Sequence, residues 1–388
     1  MVLRQRLMEQ MESRMQVEDE ELRDLIDMAI LEAAEGAYLP LKERLSLRKE
    51  LFDSFRRLDI LQELVDDPTI TEIMVNGAEH IFVERQGRVE ELEKHFDSVG
   101  QLEDLIQQIV SRVNRTVNLA SPIADARLED GSRVHVVLAP VALNGPILTI
   151  RKFPEPITME RLIELKSISR EATAFLQKAV ERGLNIFISG GTGSGKTTIN
   201  AMSGYIPQED RVITIEDSAE LQIRHVTNLV SLETRVENRD GSQEISMRDL
   251  IRASLRMRPD RIIVGEVRGG EALEMLQAMN TGHDGSLSTG HANSAKDMLS
   301  RLETMVLMAA ELPLAAVRSQ IGSALDLMVH VGRMRDRSRK VLEITEVIGY
   351  ENGEIRLSPI YQFQESGETA SGQVEGALVQ VGRFEGRR

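Results

Sequence analysis

The run Gly190-Gly191-Thr192-Gly193-Ser194-Gly195-Lys196-Thr197 fits the phosphate-binding pattern G-x-x-x-x-G-K-[ST] in full. Its flanks match what that pattern needs. Asn185-Ile186-Phe187-Ile188-Ser189 before it is apolar and β-branched and reads as a buried strand. Thr197-Thr198-Ile199-Asn200-Ala201-Met202 after it can open a helix. Glycines let backbone N–H groups approach phosphate oxygens with no Cβ in the way. The helix N-terminus adds partial positive charge at the same place. Lys196 is then expected to reach the β- and γ-phosphates, and the Thr197 hydroxyl to hold Mg²⁺. A chance glycine-rich turn would not bring the lysine and both flanks with it. The stretch from Gly190 to Thr198 predicts a nucleoside triphosphate site with Mg²⁺.

At 388 residues the chain has room for two or three domains, each with its own core. Trp is absent and aromatics are 3%, so the core must be built from aliphatic residues and the 17 Met. A net charge of −15 argues against a general nucleic-acid binder, whose affinity rests on clustered Lys and Arg. Zero cysteines exclude disulfides and thiolate zinc sites. No apolar run approaches ~18 residues, so neither a signal peptide nor a membrane span is expected. The chain reads as intracellular.

Around the phosphate loop the sequence divides into five segments. Residues 1–65 read as a small helical bundle, a candidate docking element. Leu22, Leu25, Ile26, Ala29, Ile30 and Ala33 form one stripe, and Gly36 closes that helix. Pro40 starts the next, whose predicted face is Leu41, Leu45, Phe52, Phe55 and Leu58. Residues 66–153 read as a compact α+β domain. Its strands are Ile70–Val75, Ile81–Glu84, Ile123–Leu128, Val134–Leu138 and Ile147–Ile150, with a helix capped by Ser98. Two prolines make 154–158 a linker.

Residues 159–363 alternate helices with apolar strands, which implies an open, largely parallel sheet. Ser246–Asp249 forms a capping-box pattern, opening a helix that Pro259 is expected to end. The tail 364–388 is rich in Gly, Ser and Glu and is predicted to be partly disordered.

Ligands of such sheets bind at the carboxyl ends of the strands. Val212–Ile215 runs into Glu216 and Asp217, and Ile262–Val264 runs into Gly265 and Glu266. Glu266 there can polarise an attacking water. A single strand-end acid is often only solvated, but two converging strand-end acids weigh against that. His291 at the end of a short strand can hydrogen-bond a γ-phosphate, while His283 is as well explained as a structural histidine. Arg127, Arg133 and Arg151 fall in the preceding domain. They are surface arginines, or cations delivered to the γ-phosphate from a separate body. Arg333–Lys340 reads as a basic hairpin tip, either solvated or facing acidic lipid headgroups.

Four ordered stretches resemble motifs of the secretion ATPase superfamily that powers type II and type IV secretion and type IV pili. Ile213–Leu221 resembles its Asp box and Arg256–Arg268 its atypical Walker B. Gly282–Ser294 resembles its His box and Ala126–Arg133 the arginine motif of its N-terminal domain. The match runs from about Pro68 to His330, and is closest to the CpaF-type ATPases of tight-adherence (Flp) pili, which have a similar helical region before residue 65. The tetracysteine zinc module of many relatives is absent.

The resemblance implies an α/β chain: a RecA-like ATPase domain with a mainly parallel sheet, a PAS-like α+β domain before it, and the N-terminal helical bundle. It implies a homohexamer at the cytoplasmic face of the inner membrane, peripheral to it and working on platform proteins, with no nucleic acid as partner. By motif match Glu266 is the catalytic glutamate, Glu216 an auxiliary acid and His291 a phosphate sensor. Arg127, Arg133 and Arg151 close on the nucleotide. The expected function is ATP hydrolysis driving pilus assembly, retraction being an open variant. A type IV secretion traffic ATPase is the alternative. A RecA-like nucleic-acid motor is disfavoured by charge, and a non-hydrolysing scaffold by the presence of Glu216 and Glu266.

Overall fold

The structure is a computed structural model that describes residues 3, 6–7, 17–34, 39–85, 87–113, 115–153, 156–191, 195–235, 244–369 and 372–386. The chain divides into two compact units, Met1–Pro154 and Glu155–Arg388. No helix among the described residues is long and apolar enough to cross a membrane.

In the first unit, α1 (Asp19–Ala33) buries Leu22, Leu25, Ile26, Ala29 and Ile30, the stripe its spacing predicts. Gly36 lies outside the described residues, as do most of the first sixteen. Helix α2 (Leu41–Arg56) corrects the sequence reading. Leu41 and Leu45 are 69% and 46% exposed, while Leu47, Leu51, Phe52 and Phe55 pack on the α1 core. A helix with leucines over so much of its circumference has no single stripe, and the partner helix selects one. Leu58 joins a different core, that of the following sheet.

Two short helical turns, Asp59–Leu61 and Gln62–Asp66, lead into an antiparallel six-stranded sheet of order β3-β2-β1-β6-β5-β4. Its strands are β1 (Ile70–Asn76), β2 (His80–Arg85), β3 (Arg88–Leu92), β4 (Ile123–Arg127), β5 (Arg133–Val137) and β6 (Ile147–Arg151). Strand β3 is not among the strands the sequence predicts. It is an exposed edge and shows no apolar alternation. Helix α3 (Val99–Arg112), capped by the Ser98 hydroxyl, buries Leu102, Leu105, Ile106, Ile109 and Val110 in the sheet's core.

The second unit is built on nine strands in the order β15-β14-β13-β12-β7-β11-β10-β8-β9. The central block of β12 (Leu327–Arg333), β7 (Ile186–Gly190), β11 (Leu287–His291), β10 (Arg261–Val264), β8 (Arg211–Glu216) and β9 (Asn228–Glu233) is parallel throughout. Side chains alternate between two cores. Ile186 and Ile188 of β7 face one core, with α4 (Met159–Glu164), α5 (Arg170–Glu181) and α6 (Gly195–Ser203). Phe187 faces the other, with α7 (Met247–Ser254), α8 (Glu271–Asn280), α9 (Ala295–Ala309) and α10 (Leu314–Ala324).

At the start of β7 a fully buried Asn185 gathers four elements. Its N–H donates to Asp326 at 2.9 Å, and its side-chain amide to the carbonyls of Met279 and Ala324 at 3.3 and 2.9 Å. Its side-chain oxygen accepts from the Ser286 N–H at 3.1 Å. Every polar group of that side chain is used, which is what burial demands.

Two further expectations need correction. The capping box at Ser246 and Asp249 is present, but α7 ends at Ser254, well before Pro259. Arg258 in that stretch has φ 54°, which no α-helix continues through. The tail is not disordered where it is described. Strand β13 (Arg339–Glu351) pairs with β14 (Glu354–Glu368), which runs past Gln364, and β15 (Val374–Gln380) pairs with β14. Val374 and Leu378 are buried, and Phe384 packs edge-on to Phe175 at 5.9 Å.

The basic tip is engaged by this hairpin. Arg335 pairs with Glu365 at 2.7 Å and with Glu368, and Lys340 is buried over the Phe363 ring. Asp336 accepts from Ser338 and from the Val374 N–H, which hold its carboxyl at about 2.

Candidate functional site

Parallel register brings several strand ends to one edge of the second unit. Gly190 of β7 lies beside His291 of β11, and Val264 of β10 lies beside both Ile215 of β8 and Ser288 of β11. Thr192, Gly193 and Ser194 lie outside the described residues. On either side of them, Gly190 ends β7 and Gly195 opens α6, so Lys196, Thr197 and Thr198 occupy its first turn. A Cβ on Gly195 would stand 2.7 Å from the Thr289 Cβ, so the helix can start this close to β11 only on glycine.

Lys196 Nζ lies 3.0 Å from Glu220 and 3.5 Å from Glu216. Glu216, 1% exposed, is held by backbone. Its carboxylate accepts from the Glu220 N–H at 3.0 Å and the Leu221 N–H at 3.1 Å. Burial raises its pKa, and those hydrogen bonds and Lys196 offset this only in part. A Cβ on Gly265 would come within 2.6 Å of the Glu216 Cγ, which explains the glycine before Glu266.

Glu266, nearly buried, accepts a bidentate pair from Arg268 at 2.7 and 2.8 Å. His291 Nε2 stands 3.0 Å from the same carboxylate, and its Nδ1 is 3.1 Å from the Gly190 carbonyl. Both contacts are filled as hydrogen bonds only when both ring nitrogens carry hydrogen. Burial works to raise the Glu266 pKa. The Arg268 hydrogen bonds, with the charges of His291, Arg268 and Lys196, outweigh it, and the net direction is down. Asp217 is exposed and 3.6 Å from Arg268.

Glu216, Glu266, Lys196 and His291 thus meet at one edge. His283 does not join them. It precedes β11 at the other end and faces the Ala278 carbonyl at 3.2 Å, a structural contact. Arg127, Arg133 and Arg151 belong to the first unit. They are cross-strand neighbours at one end of β4, β5 and β6, and Arg133 stacks over Phe153 at 5.8 Å.

Three residues of the edge were given no role by sequence reasoning: Glu220, Arg268 and Thr289. All three fall inside the motif stretches, but only the strand order shows which group each one meets. Thr289 donates to the Gly265 carbonyl at 2.6 Å and so wedges α6, β10 and β11 together.

A phosphate-loop strand between parallel neighbours, with acids ending two of the nearby strands, defines a class of nucleotide-binding protein. The model of the Type II/IV secretion system protein family matches residues 56–358, and the chain belongs to that family. It is 34% identical over 293 residues to a putative conjugal transfer protein of Mycobacterium tuberculosis, covering 74% of this chain and 83% of the relative. Conjugal transfer protein TrbB of Rhizobium radiobacter is 34% identical over 317 residues, covering 80% of this chain and 94% of the relative. Among solved structures, the pilus retraction motor PilT with bound ADP superposes with a TM-score of 0.54 at 22% identity, over 78% of this chain and 81% of that one. That last likeness is one of fold. The fold is accordingly α/β: a RecA-like domain with a mainly parallel sheet, preceded by a PAS-like α+β domain and N-terminal helices.

Proposed function

We propose that this chain is a motor ATPase that hydrolyses ATP to drive a secretion or pilus machine at the cytoplasmic face of a membrane. The observation that carries the reading is the placement of Lys196 against Glu216 and Glu220 at the phosphate-loop edge, with Glu266 held there by His291. Gly190 to Thr198 would cradle the phosphates, with Lys196 exchanging its carboxylate partners for β- and γ-phosphate oxygens. The glycine-only approach of α6 to β11 and the first-turn Thr197 fit a Mg²⁺-nucleotide. Mg²⁺, when bound there, would neutralise charge developing on the phosphates.

Glu266 would take the proton of the attacking water, Glu216 would support it, and His291 would register the γ-phosphate. Arg127, Arg133 and Arg151 would close on the nucleotide from the first unit. A homohexamer docked on inner-membrane platform proteins is the working form we infer. Tight-adherence pilus assembly is the finer reading, supported by the resemblance of the N-terminal helices. The conjugal transfer relatives support type IV secretion traffic as its competitor.

The test separates binding from chemistry. Lys196→Ala should lose both ATP binding and hydrolysis. Glu266→Gln should keep binding while turnover falls by roughly a hundredfold or more. A Glu266→Gln protein hydrolysing ATP at the wild-type rate would remove Glu266 from the mechanism.

A further inference from the structure

Arg268 has no part in the reaction as proposed above, yet it makes the closest contacts to the residue that does. Its Nε and Nη2 donate to the two oxygens of Glu266 at 2.7 and 2.8 Å, and its Nη1 lies 3.6 Å from Asp217. One guanidinium therefore spans the acids that follow β10 and β8. Its base is fixed as well. The N–H groups of Arg268 and Gly269 both donate to Glu271 Oε1, at 2.6 and 2.8 Å, where α8 begins. The outer side chain is open, 63% exposed, against 10% for the carboxylate it holds.

Glu266 has one carboxylate oxygen already shared between Arg268 and His291. Only Oε2 keeps a lone pair for a water, since it accepts from Arg268 alone among the described residues. The charged groups facing Glu266 are Arg268 from its own loop, His291 from β11 and Lys196 from α6. Asp217 and Glu220 face Arg268 in turn.

We propose that Arg268 is a positioning residue: its bidentate grip fixes the Glu266 carboxylate in one orientation, with a single oxygen presented to water. The proposal rests on the reading of Glu266 as the base. A flexible carboxylate in the same place would sample several orientations, and burial would favour its protonated form. A lysine supplies the charge but not the two-point fork.

The experiment follows the Glu266 carboxyl by ¹³C NMR in glutamate-labelled protein, assigned by Glu266→Gln, through pH in wild type, Arg268→Ala and Arg268→Lys. kcat, KM and nucleotide binding are measured on the same proteins, with Lys196→Ala beside them. We expect Glu266 of wild type to titrate below the ordinary glutamate range and that of Arg268→Ala to titrate above wild type. The acid limb of kcat should move with it. kcat should fall roughly ten- to a hundredfold, with KM within about threefold. Arg268→Lys should recover the titration but leave kcat low. An unchanged Glu266 titration in Arg268→Ala, full kcat in Arg268→Lys, or a loss expressed wholly in KM would each overturn the assignment. Undiminished nucleotide binding in Lys196→Ala would instead overturn the phosphate-site reading, and the carboxyl titration would still decide the role of Arg268.

Discussion

His330 and Ser189 face each other across β12 and β7, Nδ1 2.9 Å from Oγ, one residue before Gly190. Burial lowers the His330 pKa from its ordinary 6.5, against the opposing charges of Glu343 and Asp297 and hydrogen bonds with Asn293 and Ser189. The unfolded chain therefore takes up this proton first as pH falls. Stability is full above about 6.5 and is lost as pH drops from there through the folded value. The thermal midpoint should decline on acidification below about 6.5, each kcal/mol of linkage appearing as about 2–4 °C for a unit of this size. His330→Asn should flatten that segment of the curve, and a slope identical to wild type would clear His330 of responsibility. At this scale the sequence was partly readable. Lys196, Glu216, Glu266 and His291 end or follow apolar strands, so their placement at one edge follows from parallel strands alone. Arg268, Glu220 and Thr289 matter because β8, β10 and β11 are neighbours in that order, and no local pattern states an order of strands.

The hairpin of β14 and β15 shows what composition hides in an element. Its Gly, Ser and Glu content reads as unstructured, but Val374 and Leu378 are spaced to face inward among polar neighbours. An exposed edge needs few apolar positions, so the same economy hid β3. Helix α2 erred in the opposite way, offering more leucines than its partner could cover. If β15 belongs to the core, Leu378→Ala should cost about 2–5 kcal/mol. Exposed Ala377→Ser should be close to neutral. Thermal or denaturant midpoints of the two variants compare them directly, and equal midpoints would return the segment to a loose tail. The Arg335 contacts with Glu365 and Glu368 belong to the same element.

For the molecule as a whole, the two units own separate cores: among the described residues, the two clusters of the second unit draw none from before Met159. A chain beginning at Met159 should therefore fold and bind ATP by itself. If the arginines of the first unit complete the site, that chain should lose most of its hydrolysis. Arg127→Ala or Arg133→Ala in the full chain should cut kcat by roughly a hundredfold or more, with nucleotide affinity little changed. Circular dichroism checks that Arg133→Ala still folds, since that side chain stacks on Phe153. Turnover by the shortened chain at the full-length rate would refute a two-unit mechanism. The two prolines of residues 154–158 mark a linker in the sequence, and the chain divides after Pro154. What the arginines of the first unit act on is the part that no strand pattern encodes.

The buried Asn185 carries a consequence for the order in which this protein can be made. Its N–H partner, Asp326, lies 141 residues further along the chain. At ribosomal speeds of about 5–20 residues per second, the strand that leads into the phosphate loop exists for roughly 7–30 s before that partner has been synthesised. Until then, Asn185 can satisfy that N–H only with water or a stand-in. The nucleotide-binding half of the molecule therefore cannot be finished piecemeal from its N-terminal side, and its first strand must wait for β12 before it can be sealed.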